Sequence, residues 1–177
     1  SWLIYDMTGS KLLLGLIAAI GTLPSLFLSI LGGVVADKYP KRRIMILTQI
    51  SSMIVAFILA LLIFTNMIQI WHIIVTAVFS GIVFAIDMPV RHAFLVDIVG
   101  KEDLMNAVAL NSSIFNLARI LGPAAAGLLM VKFGLVWCFV LNGLSFLAIL
   151  YALFKIHLPK IDIKKQTEPI LQYTISG

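Results

Sequence analysis

The sequence predicts an all-α polytopic membrane protein, and three observations carry that class. Hydrophobic residues make up 61% of the 177 and charged residues only 12%, with a mean hydropathy of +1.08. Soluble domains run near 45–50% apolar and about 25% charged, so here lipid must bury what the few polar residues cannot. Uncharged runs are long: 25 residues from Leu12 to Ala36 and 43 from Ile44 to Ile86, where about 20 apolar residues suffice to cross a bilayer core as helix. Finally, the Lys and Arg residues stand at the ends of these runs, with Arg119 as the exception. A net charge of +5 therefore reads as membrane topology, and nucleic acid is not an expected partner.

The elements follow in order. SWLIYDMTGS opens without an initiator Met or a basic leader, and residues 1–5 read as the end of a span already under way. Leu12 to Ala36 is one span. The run from Ile44 to Ile86 would stretch about 65 Å as a single helix, so it must fold back, and the polar cluster in TNMIQIW marks the turn. This predicts helices near 44–65 and 70–92. A polar connection at 95–106 follows, then a span from Ala107 to Val131, a KFG turn at 132–134, and a last span from Leu135 to Phe154. The predicted domains are a membrane half-bundle over 1–158 and a polar linker over 159–177.

Short loops orient a polytopic chain by their Lys and Arg content. Ten of these cations lie in the 37–43 loop, around the third connection and in the tail: Lys38, Lys41, Arg42, Arg43, Arg91, Lys101, Lys155, Lys160, Lys164 and Lys165. Two, Lys11 and Lys132, lie on the other side. Loops 37–43 and 95–106 and the C-terminal tail are thus expected in the cytoplasm. Trp2, Trp71 and Trp137 fall near the opposite ends of spans and read as interfacial anchors.

The stretch GGVVADKYPKRR (32–43) holds more than a sidedness signal. Asp37 lies at a helix C-terminus and Arg42 and Arg43 at a helix N-terminus, each against the local macrodipole, so these charges need partners elsewhere. Gly32 and Gly33 would let another backbone approach. From Gly33 through Asp37 and Lys38 to Arg42 and Arg43, the segment resembles the loop between the second and third spans of major facilitator transporters, G-x-x-x-D-[RK]-x-G-[RK]-[RK]. Pro40 stands where that family usually has Gly.

IDMPVRHAFLVDIVGKEDLMNAVALNSSIFNLARILGPAAAGLL is similar to spans 4 to 5 of the enterobactin-exporter-like subgroup. The resemblance implies a major-facilitator-type six-helix half-bundle lacking most of span 1, whose second half is missing from this chain. It also implies a bacterial inner-membrane location and proton-coupled export of a siderophore or another amphiphilic small molecule.

Candidate site residues come from the polar positions within this frame. Asp87 and Arg91 are spaced for an intrahelical ion pair, with Pro89 between them. A membrane-edge pair is one reading, and a gate network joining them to Asp37 is the other. Ser112, Asn116, Arg119 and Pro123 share one helix face, where Arg119 is the only charge deep within a span and should face the interior or a wet cavity. Substrate contact or proton coupling is the functional reading of Ser112, Asn116 and Arg119, and pairing of Arg119 with a missing carboxylate is the alternative. Gly122, Pro123 and Gly127 resemble the G-P-x-x-G-G element of antiporting members, with Ala126 replacing one glycine; close packing of small residues would explain them equally.

Cys138 is the single cysteine, the three histidines show no metal spacing, and no cofactor or catalytic motif is visible. A membrane enzyme or assembly factor remains the rival class, distinguished by surface clusters of carboxylates or histidines that these short loops do not supply.

Overall fold

The computed structural model describes residues 2–100 and 103–156; the expected linker 159–177, Lys101 and His157 lie outside the described residues. Six helices follow one another: α1 (Trp2–Thr8), α2 (Lys11–Lys38), α3 (Lys41–Phe64), α4 (Ile70–Val99), α5 (Leu104–Phe133) and α6 (Leu135–Lys155). Five of them, α2 to α6, are long and apolar enough to span a membrane.

Local chemistry explains the breaks between helices. Gly9, at φ 62°, separates α1 from α2, and the Ser10 side chain caps α2 by accepting from the Leu13 amide. Between α2 and α3 only Tyr39 and Pro40 are non-helical. Tyr39 is extended (φ −121°, ψ 155°), as the residue before a proline prefers, so Pro40 makes a tight link in place of the expected glycine. At the other end Asn66 adopts φ 55°, and Gln69 forms a reciprocal capping box with His72 to start α4. Gly100 and Gly134, at φ 77° and 84°, stop α4 and α5, where a left-handed residue is needed.

Several expected boundaries move. α4 does not end near residue 92 but continues through Pro89 to Val99, so the connection expected at 95–106 shrinks. The apolar sequence continues past the proline, and the left-handed stop comes only at Gly100. Likewise the KFG turn reduces to Gly134, with Lys132 and Phe133 still helical.

Packing is uneven around the bundle. α2 lies closest to α4, and α3 lies on both α4 and α6. A Cβ on Gly32 would stand 2.5 Å from the Ala85 carbonyl and 2.8 Å from Pro89 Cγ, and one on Gly81 would collide with the Gly21 carbonyl. Gly32 and Gly81 are thus the contact points of α2 and α4, the small-residue approach used by membrane helices. Gly33, expected beside Gly32 to serve the same purpose, has nothing within 4 Å of its Cβ position. Near the α2–α3 link, Ala36, Ile44, Met45, Val90, Phe94 and Leu153 from four helices form a buried cluster. By contrast, α5 touches α4 and α6 lightly and contains no buried residue.

Candidate functional site

α3 begins its apolar run with a polar interruption, Thr48-Gln-Ile-Ser-Ser52, and α4 carries Asp87 and Arg91 at the matching depth. The two segments meet. Asp87 Oδ1 accepts from Thr48 Oγ1 at 2.5 Å and from Gln49 Nε2 at 3.1 Å. Its Oδ2 accepts from Arg91 Nε at 3.1 Å and Nη2 at 2.8 Å. Thr48 and Gln49 are 6% and 3% exposed, and the Asp87 side chain 13%. Polar groups at such depth are costly without partners, and the four donors meet the needs of an ionised carboxylate.

This cluster opens on a cavity of about 930 Å³ between α3, α4, α5 and α6. Gln49, Ser52, Asp87 and Arg91 form one wall, while Ser112 and Asn116 of α5 and Asn142 of α6 face them. Phe84, Phe115, Phe139 and Phe146 supply its apolar surface. Such a mixture of aromatic rings, amides and hydroxyls suits an amphiphilic small molecule. Among the described residues no cluster of His, Cys, Asp or Glu is arranged to hold a metal ion.

The expected residues divide into those the fold brings together and those it does not. Asp87 and Arg91 pair as their spacing predicted, and Ser112 and Asn116 line the same cavity. Asp37 does not meet Arg91: it is exposed at the end of α2, while Arg91 is held by Asp87 on its own helix. Lys38 and Arg43 are also exposed. Arg42 and a neighbour the sequence reading did not single out, Lys41, carry the loop's long-range contacts.

Lys41 Nζ binds Asp97 at 2.7 and 2.9 Å, and Arg42 Nη2 donates to the Phe154 carbonyl at 2.8 Å. Arg42 thus caps the C-terminus of α6, where a cation is favourable. This resolves the apparent opposition of the arginine to its own helix dipole. The same contacts gather the ends of α3, α4 and α6 at one end of the bundle.

Arg119 lies apart from this cluster. It is exposed on α5 and does not line the cavity, although it shares a helix face with Ser112 and Asn116, which do. Gly122 and Gly127 have nothing within 4 Å of their Cβ positions, so close helix packing among the described residues does not explain them. The residues of the Asp87 cluster that sequence reasoning missed are Thr48 and Gln49. Their signal was available, as the polar pair and Ser51-Ser52 interrupt an otherwise apolar run.

The family described as "Transmembrane secretion effector" matches residues 1–175. The chain belongs to this family of major facilitator transporters, which is not a class of enzymes. It is 33% identical over 155 residues to the Staphyloferrin A transporter of Staphylococcus aureus, covering 86% of this chain and 39% of that protein. It is 27% identical to the multidrug efflux pump Tap of Mycolicibacterium fortuitum, over 75% of this chain and 34% of that one. A third relative is the uncharacterized MFS-type transporter YfiS of Bacillus subtilis, at 23% identity over 80% and 33% of the two chains. The chain thus spans less than half the length of these relatives. No solved structure matches it.

Proposed function

We propose that this chain forms one side of the translocation path of a proton-coupled exporter of siderophores or other amphiphilic small molecules in a bacterial inner membrane. Asp87 is the proton-binding group, and the observation carrying this reading is its four-donor cage on the wall of the cavity. Similarity to the Staphyloferrin A transporter and to the multidrug efflux pump Tap supports a small-molecule substrate and the outward direction. A second six-helix half completes the cavity, and transport proceeds by alternating access around it. The test is made in inverted membrane vesicles energised by a proton gradient. Export with proton exchange predicts that amphiphilic substrates dissipate the gradient in vesicles carrying the full-length protein. Substrate movement indifferent to a protonophore refutes the coupling.

The basic end of the bundle faces the cytoplasm in this proposal, since it gathers most of the loop cations. Tyr39 and Lys132 are both exposed and lie at opposite ends. In a Cys138→Ala background, an impermeant thiol reagent added outside intact cells is expected to label Lys132→Cys and spare Tyr39→Cys. The reverse pattern overturns the orientation.

Asp37, Lys38, Arg42 and Arg43, with Gly33 beside them, form the cytoplasmic gate together with the Asp87–Arg91 pair in this reading. Gly122, Pro123 and Gly127 supply the flexible element of α5 that exchange requires. Arg119, at midspan, would cost about 2.5–3.5 kcal/mol against lipid, so we place it against the second half of the transporter. Arg119→Ala is expected to insert normally and lose at least about tenfold in transport rate, a ~1.4 kcal/mol effect, with Arg119→Lys only partly restoring it because the guanidinium fork is lost. Wild-type transport by Arg119→Ala removes the residue from the mechanism.

A further inference from the structure

We infer that Thr48 is a positioning residue whose hydroxyl adapts the cluster to both protonation states of Asp87. This inference rests on the proposed role of Asp87 as the proton-binding group. Thr48 Oγ1 stands 2.5 Å from Asp87 Oδ1 and 3.0 Å from the Met45 carbonyl oxygen on its own helix. A hydroxyl carries one hydrogen and two acceptor lone pairs, so it makes one strong, linear donor bond at a time. The two distances therefore allow two alternative hydrogen positions.

With Asp87 ionised, the Thr48 hydrogen points at Oδ1 in a short, charge-assisted bond. The Met45 carbonyl keeps its place in the α3 backbone ladder. When a proton binds at Oδ1, that oxygen becomes a donor and its hydrogen bonds to a lone pair of Thr48 Oγ1. The Thr48 hydrogen then rotates to the second lone pair of the Met45 carbonyl. One proton has been gained, the Asp87 charge is neutralised, and no heavy atom needs to move.

Gln49 could do this only by turning its amide end for end, which moves heavy atoms. As placed, its Nε2 donates to Oδ1 and its Oε1 is buried without a partner, so in this orientation it serves the ionised form. Arg91 likewise donates to Oδ2. Thr48 is the one contact of the carboxylate that can reverse its polarity by moving a hydrogen alone.

The other charged groups around Asp87 are otherwise placed. On α4, Arg91 is bonded to it and His92 lies exposed on the cavity wall. α3 brings only Lys41, Arg42 and Arg43 at its end. α2 brings Asp37 and Lys38, exposed at its end, α5 brings Arg119 outside the wall, and α6 brings Lys155 in its last turn over the Tyr151 ring. Among the described residues, then, only Arg91 bonds Asp87 with a charge.

The experiment reads the proton directly and needs no substrate. Infrared difference spectra of the full-length protein in membranes, taken against pH, follow the protonated-carboxyl stretch that Asp87→Asn removes. Thr48→Ser keeps the hydroxyl and is expected to titrate at the wild-type midpoint. Thr48→Val is expected to shift the midpoint by about one pH unit or more, with Thr48→Ala as a second hydroxyl-free variant should valine impair insertion.

An unchanged midpoint in the hydroxyl-free variants overturns the inference while leaving Asp87 as the proton site. A shift in Thr48→Ser as large as that in Thr48→Val assigns the effect to the methyl group and overturns it too. Absence of any titrating band lost in Asp87→Asn overturns both the inference and the proposal beneath it.

Discussion

Asp87→Asn is expected to abolish proton-coupled transport while leaving much of the protein folded. Asparagine keeps the shape of the side chain but cannot carry the charge that Thr48, Gln49 and Arg91 converge on. Its amide must turn a donor toward at least one of those donors, and Arg91 loses its ion-pair partner. Breaking a fully buried pair from one side costs about 3–5 kcal/mol. Here the Arg91 side chain is 41% exposed toward the cavity, so the loss of stability should fall nearer about 1–2 kcal/mol. Transport, measured as substrate-driven collapse of a proton gradient in vesicles, should drop by at least about a hundredfold, or ~2.7 kcal/mol. Asp37→Asn should be milder, since Asp37 is exposed and has no bond partner among the described residues. Wild-type transport by Asp87→Asn would remove the residue from the coupling mechanism.

The second large effect is expected from Gly81→Ala, and it falls on assembly. The added methyl would meet the Gly21 carbonyl, which is backbone and cannot swing aside as a flexible side chain would. α2 and α4 must then separate along their length, since Gly32 makes the same kind of approach to Ala85 and Pro89 further along. Overpacking costs about 1–3 kcal/mol, and the backbone clash places Gly81→Ala at the upper end. Gly33→Ala is the control: its methyl meets nothing within 4 Å, and alanine is the better helix former by about 1 kcal/mol. Thermal unfolding of the detergent-solubilised full-length protein should show Gly81→Ala well below wild type and Gly33→Ala at or above it. Equal melting of the two variants would show that the α2–α4 contact does not limit stability.

What the sequence by itself determined was whatever depends on local order along the chain. Uncharged run lengths placed the five spans, because crossing a bilayer demands a minimum apolar length whatever the neighbours are. Four-residue spacing predicted the Asp87–Arg91 pair, which the fold then formed within a single helix. Helix ends were less legible: α4 ran on past the expected end near residue 92 because its stop is the left-handed Gly100.

The tertiary structure alone decided the partners across the bundle. Lys41 meets Asp97 across 56 residues and Arg42 meets the Phe154 carbonyl across 112; no local pattern relates such positions. Which of two adjacent glycines touches another helix was decided the same way, by the rotation of α2 against α4. Thr48 and Gln49 were visible as polar residues in an apolar run, but only the packing of α3 on α4 put them on one carboxylate. The physical reason is common to all of these. Spans are selected by their transfer from water to lipid, a property of each segment, whereas contacts are selected by the way helix surfaces meet, a property of pairs.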